Sequence, residues 1–371
     1  MLKKKKQKKR KLLLTAILFL ALLLAFLLSY FVFQIPLFDA SGWHTTKEGT
    51  VQFRDYYARP QTGWLRIEQA LYYFDETGAM QTGWLELEGQ RYYLAETGAM
   101  HTGWLELDGK RYYLDLNGQA HTGWLKTQEG NYYFGEDHTM QTGWLTVEGT
   151  QYLLQDDGTA YTGWLTTETA RYYMDENGAV ATGFVTVNGQ ERYFLENGEY
   201  VPLINPWNPL SDDFQTQLVD VNGYKVDITC AEALQEMMAA CKKAGNTVKI
   251  NSAYRDLKDQ QAMWEKYRKN YMAQGYSYDQ AEKLTAGYVA VPGTSEHHTG
   301  LGIDIGTGSK TYAWLAEHCW EYGFILRYPQ NKTKITGFNY EPWHFRYLGK
   351  PLAEQVHKSG LTLEEYFESI K

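Results

Sequence analysis

A tryptophan that recurs every 20 residues constrains this chain more than any other feature of its sequence. Phe184 continues the same register after the last of these tryptophans. The periodic tryptophans are Trp64, Trp84, Trp104, Trp124, Trp144 and Trp164. A fixed period of this length is typical of architectures in which each unit packs against its neighbours. The sequence therefore predicts a stacked array of repeats over residues 43–200.

Each repeat has the pattern of a β-hairpin. A Thr-Gly-Trp start is followed by an alternating run such as Leu85-Glu86-Leu87, a turn such as Glu88-Gly89, and paired aromatics such as Tyr92-Tyr93. Asp108-Gly109 and Asn188-Gly189 occupy the turn position, and such dipeptides favour tight hairpin turns. Because a single hairpin cannot bury its own aromatic side chains, successive hairpins must stack. We therefore expect an all-β solenoid of stacked hairpins.

The N-terminus carries a membrane signal. Residues 1–11 contain eight Lys or Arg, and residues 12–33 are almost purely apolar. A helix of these 22 residues would be about 33 Å long, enough to cross a hydrocarbon core of about 30 Å. Residues 34–40 contain no pair of small residues placed for signal peptidase, which favours a retained anchor over a cleaved signal.

This pattern predicts the topology of the chain. Basic residues flanking a membrane helix usually stay in the cytoplasm. We therefore expect a basic cytoplasmic tail at residues 1–11, a single transmembrane anchor at 12–33, and an extracellular location for the remainder, including any catalytic domain.

Net charge and cysteine content exclude several classes of protein. The formal net charge is −8, and without the eight basic residues of the N-terminus the remainder carries −16. A nucleic-acid partner is therefore not expected. Cys230 and Cys241 lie on one predicted helix about 16 Å apart, too far to bridge, and Cys319 completes an odd number. We expect no disulfide framework.

The repeat stops after Pro202. Residues 201–210 are rich in Pro and Asn and are predicted to form a linker, and residues 211–371 have the size of one ordinary domain. Helices and short strands interleave there, so the predicted fold class is α+β. The predicted elements are helices at 228–244, 257–273 and 311–322 and a strand at 247–252.

Three segments of this domain carry residues suited to hydrolysis: Ser252–Arg255, Pro292–Asp304 and Glu341–His344. Their potential metal ligands are His297, Asp304 and His344. Two imidazoles and one carboxylate leave a tetrahedral zinc ion one open position for water, as hydrolysis requires.

Two further residues complete this predicted site. Glu341 is placed to act as the base that takes a proton from the attacking water. Arg255 would stabilise the developing oxyanion or hold a terminal carboxylate of the substrate.

In order along the chain, these segments give Ser-x-Tyr-Arg, His-x6-Asp and Glu-x-x-His. The pattern resembles the zinc D-alanyl-D-alanine carboxypeptidases of the VanY type and their L,D-carboxypeptidase relatives. The resemblance implies a Zn²⁺ cofactor with His297, Asp304 and His344 as ligands, Glu341 as catalytic base and Arg255 as transition-state stabiliser. It also implies that Ser252, Gln260 and Ser295 contribute to substrate binding. His298 competes with His297 as a ligand, but only His297 has six residues between it and Asp304.

The repeats resemble the cell-wall-binding repeats of choline-binding proteins, glucan-binding proteins and clostridial toxins. In choline-binding versions a further tryptophan usually precedes the tyrosine pair and helps to enclose the quaternary ammonium group. The residues at that position here are Leu71, Arg91, Arg111, Asn131, Gln151, Arg171 and Arg192. Choline recognition is therefore in doubt. Met80, Met100 and Met140 could line carbohydrate sites, so choline, cell-wall glycan, teichoic acid or no ligand remain open.

The sequence as a whole predicts a zinc carboxypeptidase that is tethered in the cell envelope and removes a C-terminal D-alanine from peptidoglycan stem peptides. Two alternatives remain open. One is an L,D-carboxypeptidase that acts on tetrapeptide stems, and the other is a non-catalytic wall-binding protein whose repeats carry the function.

Overall fold

The computed structural model describes residues 2–33, 41–211, 214–306 and 308–371. The stretch 34–40, where the sequence predicts the absence of a signal-peptidase site, lies outside these ranges. Backbone contacts divide the chain into two compact units. The first comprises Met1–Gly143 and Leu154–Ala160, and the second comprises Trp144–Leu153 and Tyr161–Lys371.

A single long helix, α1 (Leu2–Phe33), forms the N-terminus of the first unit. Its stretch Lys11–Leu28 is long and apolar enough to cross a membrane, and the side chains there are exposed. The predicted N-terminal helix is confirmed. A signal sequence near an N-terminus can meet the same criteria of length and apolarity, so the direction of insertion and the retention of the helix stay predictions.

The repeats form antiparallel hairpins, as the sequence predicts. Strands β1–β8 are Gly42–Thr45, Val51–Arg54, Gly63–Ile67, Ala70–Phe74, Gly83–Leu87, Gln90–Leu94, Gly103–Leu107 and Lys110–Leu114. Strands β9–β17 are Gly123–Lys126, Asn131–Phe134, Gly143–Val147, Thr150–Leu154, Gly163–Thr166, Arg171–Met174, Gly183–Val187, Gln190–Phe194 and Tyr200–Val201. The strands pair two by two, β1 with β2, β3 with β4 and so on to β15 with β16, and β17 adds a third strand beside β16.

The turns within the hairpins have the left-handed backbone that tight hairpins require. In one repeat Asp108 and Gly109 have φ angles of 53° and 72°, and in another Asn188 and Gly189 have 51° and 78°. Two successive residues with positive φ define the turn type that matches the twist of the flanking strands. Asp and Asn tolerate this backbone better than most side chains, and glycine adopts it at no steric cost.

Aromatic contacts join successive hairpins within the first unit. The ring centroid of Trp104 lies 5.4 Å from that of Tyr113 in its own hairpin and 4.8 Å from that of Tyr132 in the following one. Trp84 makes the same contact with Tyr112 at 4.8 Å. Edge-to-face pairs at this separation stabilise beyond the area they bury. Trp84 and Trp104 therefore each contact two hairpins, as a stacked array requires.

The methionines of the links pack inside the first unit. A β-carbon added to Gly118 would lie 2.3 Å from Sδ of Met100, so the sulfur fills the space that any larger residue would need. The corresponding pairs are Met80 with Gly98 and Met140 with Gly158. These side chains are half-buried in contacts between repeats, which leaves them less surface for carbohydrate than the sequence suggests.

The α+β domain, also confirmed, follows the repeats in the second unit. Its strands are β18 (Leu218–Val221), β19 (Tyr224–Asp227), β20 (Lys249–Ser252), β21 (Gly302–Gly306), β22 (Phe324–Leu326) and β23 (His344–Tyr347). Its helices are α2 (Ile228–Lys243), α3 (Leu257–Ala273), α4 (Tyr278–Ala286), α5 (Ser309–His318), α6 (Thr333–Thr336), α7 (Lys350–Ser359) and α8 (Leu363–Ser369), with 3₁₀ turns at Glu296–Thr299 and Cys319–Tyr322.

The predicted helix at 257–273 matches α3, whereas the helix predicted at 311–322 ends as α5 at His318 and continues as a 3₁₀ turn.

Strands β20, β21, β23 and β22 form, in that order, a four-stranded antiparallel sheet. Ile303 and Ile305 of β21 pack with Leu234 and Met237 of α2 in the main hydrophobic core. The sheet is thereby fixed against α2.

The segment 201–210 is hydrogen-bonded to the α+β domain. The carbonyl of Pro202 accepts from Arg346 at 2.7 Å, and the carbonyl of Ile204 accepts from Arg327 at 3.3 Å. Leu210 donates its N–H to the carbonyl of Gly293 at 2.8 Å. This stretch therefore lies against the domain that it precedes, and the predicted boundaries 201–210 and 211–371 stay predictions.

Candidate metal centre

The register of the central sheet assembles the candidate site. Asp304 lies near the middle of β21, directly opposite Ser252 on β20 and His344 on β23. Because side chains on paired residues of neighbouring strands point to the same face, all three project together. His297 reaches the same face from the 3₁₀ turn that precedes β21.

The three predicted metal ligands converge. One ligand atom from each of His297, Asp304 and His344 lies within 4.8 Å of the other two. Nδ1 of His344 is 2.9 Å from one Asp304 oxygen, and Nε2 of His297 is 3.3 Å from the other. Nδ1 of His297 donates to the carbonyl of Ala253 at 2.7 Å, which leaves Nε2 to face the cluster.

His298, the competing ligand, is engaged elsewhere. Its Nδ1 donates to the carbonyl of Arg255 at 2.7 Å, and its Nε2 accepts the N–H of Gly293 at 3.1 Å. Both ring nitrogens are therefore used by the backbone. This arrangement favours His297 as the ligand, in agreement with the spacing argument.

The electrostatics of the cluster suit a cation. Burial lowers the pKa of His297, which favours the neutral imidazole that binds metals. Burial alone would raise the pKa of Asp304, but His297 and His344 hold it well below its usual range. Two imidazole nitrogens and one ionised carboxylate are a donor set that fits zinc.

Glu341 lies at the edge of the cluster, three residues before His344. The Glu341-to-His344 segment is a turn closed by a hydrogen bond from the N–H of His344 to the carbonyl of Glu341 at 3.2 Å. The side chain is 6% exposed. Burial raises the pKa of the Glu341 carboxyl to about 7, while His344 acts in the opposite direction. A carboxyl with such a pKa can both take and return a proton near neutral pH.

Arg255 is held by two of the residues predicted to bind substrate. Its two terminal nitrogens donate to Oε1 of Gln260 at 2.6 Å and to Oγ of Ser252 at 2.7 Å. Gln260 is fully buried and donates in turn to the carbonyl of Ala290 at 2.7 Å. Burial lowers the pKa of Arg255, whereas Asp304 and Glu341 raise it. Ser252 and Gln260 therefore orient the guanidinium.

Ser295, the third residue predicted to bind substrate, is buried and caps the 3₁₀ turn. Its Oγ accepts the N–H of His297 at 3.3 Å. Direct substrate contacts by Ser252, Gln260 and Ser295 stay predictions.

A cavity of about 510 Å³ opens over this cluster. The three ligands, Glu341, Arg255, Ser252 and Ser295 all line it. Tyr267, Tyr288 and Trp343 add aromatic walls, and Tyr267 and Tyr288 are exposed at 41% and 50%. Its volume is within the range of small-ligand sites.

Sequence reasoning missed a group of buried charges behind the ligands. Glu296, Arg327 and Arg346 all have side chains with 0% exposure and are joined by ion pairs of 2.7 Å. The sequence signal for this group was the position of Glu296 immediately before the predicted ligand His297.

In the repeats of the first unit, arginines cover two of the tryptophans. Cζ of Arg91 lies 4.1 Å from the ring centroid of Trp84, and Cζ of Arg111 lies 4.4 Å from that of Trp104. Arg111 also donates to the carbonyl of Asp157 at 3.0 Å. The chain's own guanidinium groups thus occupy aromatic faces that a ligand cation would otherwise use.

A metal-ligand cluster of two histidines and one aspartate, beside a carboxyl with a pKa near neutrality, is the arrangement of a metallopeptidase centre. Comparison with known proteins agrees. Residues 223–350 match the family described as VanY, D-alanyl-D-alanine carboxypeptidase. Residues 61–102 match the choline-binding repeat, and residues 102–120 match the putative cell wall binding repeat.

Individual relatives point the same way. A D-alanyl-D-alanine carboxypeptidase of Enterococcus faecalis is 39% identical over 176 residues, which cover 46% of this chain and 66% of the relative. A bifunctional D-Ala-D-Ala dipeptidase and D-Ala-D-Ala carboxypeptidase, VanXYC of Enterococcus gallinarum, is 37% identical over 33% of this chain and 67% of its own length. The chain belongs to the VanY family of D-alanyl-D-alanine carboxypeptidases.

A solved structure is also similar. The vancomycin resistance D,D-pentapeptidase VanY of a VanB-type cassette, determined in complex with Zn(II), is 40% identical, with a TM-score of 0.43 over 44% of this chain and 97% of that one. The chain spans about half to two thirds of the length of the curated relatives it matches.

Proposed function

We propose that this protein is a zinc-dependent carboxypeptidase that removes the C-terminal D-alanine from peptidoglycan stem peptides. The observation that carries the proposal is the convergence of His297, Asp304 and His344 in one cavity with Glu341 and Arg255. Bound zinc would polarise the scissile carbonyl and lower the pKa of water at its open position. The chain's own residues account for the remaining chemistry.

Glu341 is the proposed general base and acid. As a carboxylate it accepts a proton from the water that adds to the carbonyl carbon, and it returns a proton to the amine as the C–N bond breaks. Burial raises its pKa to about 7 in the metal-free protein, toward the range in which a carboxyl can both accept and return a proton. The products are D-alanine and the shortened stem.

Arg255 is the proposed anion-binding group. Its guanidinium, fixed by Ser252 and Gln260, lines the cavity that holds the ligands. A fixed cation there would bind the terminal carboxylate of the stem or stabilise the developing oxyanion. Ser295, in the same cavity, is a proposed substrate contact.

The bond that is cut can be tested directly. We would incubate pentapeptide and tetrapeptide stems with the zinc-loaded, detergent-solubilised chain and follow the products by mass spectrometry, with Glu341→Gln as the control. Loss of one alanine from the pentapeptide supports the D,D activity. Glu341-dependent loss from the tetrapeptide supports the L,D alternative.

The second candidate function is a non-catalytic wall-binding protein, favoured by the matches at residues 61–102 and 102–120. Zinc-loaded protein that sediments with cell walls but cleaves neither stem would support it. Retention of the metal ligands, the base and Arg255 in one cavity argues against it.

We further propose that residues 12–33, within α1, anchor the protein in the membrane with residues 1–11 in the cytoplasm. In this arrangement the repeats at 43–200, the linker at 201–210 and the peptidase domain at 211–371 lie outside. The repeats would contact wall glycan or teichoic acid. Because Arg91 and Arg111 occupy the faces of Trp84 and Trp104, those two positions would not take a quaternary ammonium ligand.

A further inference from the structure

Glu296 is a buried carboxylate that the proposed reaction does not use. It lies in the 3₁₀ turn next to His297, with a side chain of 0% exposure. Its Oε1 accepts from Nε of Arg327 and from a terminal nitrogen of Arg346, both at 2.7 Å. Its other oxygen, Oε2, lies 3.4 Å from Nε2 of His344. One carboxylate thus joins two arginines to a candidate metal ligand.

The two nitrogens of the His344 ring have different neighbours. Nδ1 faces Asp304 at 2.9 Å, on the side of the ligand cluster, and Nε2 faces Glu296. If Nδ1 binds the metal, Nε2 carries the proton and donates it to Glu296. A carboxylate on the far nitrogen of a ligating histidine fixes the tautomer and ring orientation and raises the basicity of the ligand.

We infer that Glu296 is a positioning residue for His344 and that it raises the affinity of this site for zinc. The inference rests on the proposed function, since it assumes that His344 is a zinc ligand. Arg327 and Arg346, both with 0% side-chain exposure, balance the charge that an isolated buried carboxylate could not retain.

The arginines are themselves fixed by other groups. Arg327 pairs with Glu364 at 2.7 Å and donates to the carbonyl of Ile204, and Arg346 donates to the carbonyl of Pro202. The side of Glu296 that faces away from His344 is therefore held by the domain and by the segment that enters it. Side chains with so many partners lose little further freedom on binding metal.

Packing leaves Glu296 and His344 little room to move. A β-carbon added to Gly302 would lie 3.0 Å from Cβ of Glu296 and 3.2 Å from Cε1 of His344. Gly302 begins β21, two residues before Asp304. The glycine thus permits the close approach of the carboxylate to the ring.

The test compares Glu296→Gln with Glu364→Gln in the full chain. Glutamine at either position keeps the size of the side chain and removes a negative charge beside Arg327. Only the change at 296 also removes the negative charge beside Arg346 and beside Nε2 of His344. Zinc affinity is measured by competition with a chromogenic chelator, without substrate, and thermal unfolding of the metal-free protein is measured alongside. We expect Glu296→Gln to weaken zinc binding about 10- to 100-fold and Glu364→Gln to change it less than about threefold.

Each outcome bears on a different claim. Equal zinc affinity in folded Glu296→Gln and wild type would overturn the positioning role, as would equal weakening in both variants, which would indicate a general effect of lost charge. A wild-type chain that binds no zinc would instead refute the proposed function.

If Glu296→Gln does not fold, Glu296→Asp is used instead. Aspartate keeps the negative charge that faces Arg327 and Arg346, but its side chain is one methylene shorter, which moves the carboxylate away from His344. Unchanged zinc affinity in that variant would also overturn the inference.

Discussion

The repeats and the peptidase domain are stabilised by contacts of different range in the sequence. In the repeats, the contacts of Trp104 are with Tyr113 in the same hairpin and Tyr132 in the next, so each unit depends on near neighbours in sequence. In the peptidase domain, the site joins residues from Ser252 to His344 and rests on fully buried charges such as Glu296. The repeats are thus divisible, whereas the site depends on the whole domain.

The largest expected effect falls on the chemistry of the domain. Glu341→Gln removes the proposed base and should lower kcat about 10²- to 10⁴-fold, with zinc binding retained. Stem-peptide turnover measured by mass spectrometry checks this, with Glu317→Gln as an exposed control whose side chain is 77% accessible. Turnover within tenfold of wild type would remove Glu341 from the base role.

A buried ion pair at the junction of the two regions should show the next largest effect. Arg171, in β14 of a repeat, pairs with Asp227, the buried N-cap of α2. Arg171→Met would leave the carboxylate of Asp227 without this partner and should lower the free energy of unfolding by about 3–5 kcal/mol.

Chemical denaturation measures this loss. Lys350→Met, which breaks an exposed pair with Glu236 at 3.5 Å, is the matched control and should cost about 0–1 kcal/mol. Similar losses in the two variants would mean that the repeats contribute no stability to the domain through Arg171.

The change in protonation of the Glu341 carboxyl with pH should be measurable by infrared spectroscopy. With its pKa raised to about 7 by burial, the carboxyl of the metal-free protein is protonated below that pH and ionised above it. Difference infrared spectra against Glu341→Gln should show the protonated band disappear with a midpoint near pH 7. Bound zinc should move the midpoint lower, because a nearby cation favours the carboxylate.

Turnover should depend on the same group. Below the midpoint of the zinc-loaded enzyme, activity should fall about tenfold per pH unit, since only the ionised form accepts the proton of water. An acid limb that persists unchanged in Glu341→Gln would assign the titration to another residue.

The smallest effect is expected from shortening the repeats. Deleting residues 83–122 removes two whole 20-residue repeats from the first compact unit. Turnover of soluble stem peptide should stay within about twofold of wild type, because no residue of the site is lost, whereas turnover on intact walls should change. A large loss on soluble peptide would show that the site is not independent of those repeats.

Sequence reasoning was most successful where information is local. The period of the tryptophans and the turn residues Asp108-Gly109 predicted the hairpins, and the apolar spacing of 257–273 gave the bounds of α3. The spacing from His297 to Asp304 identified two predicted ligands that the 3₁₀ turn and β21 bring close together. Each of these signals lies within one element or between neighbours.

The contacts that were missed connect distant residues. Nothing local in the sequence indicates that Arg327 and Arg346 would be buried on Glu296, because their partners lie 31 and 50 positions away. The contact between the fully buried side chain of Gln260 and Arg255 was also missed, because packing and not local sequence brings the two side chains together, and the predicted contact of Gln260 with substrate stays a prediction.

Asp304 and His344 are paired across β21 and β23, so metal binding at this site depends on the correct alignment of the two strands. A slip of one residue would turn either side chain to the opposite face of the sheet and separate the ligands. The chain can therefore assemble this site only after β23, which carries His344 40 positions downstream of Asp304, has paired with β21. Occupancy by zinc would then distinguish molecules with correctly aligned strands from molecules with misaligned ones.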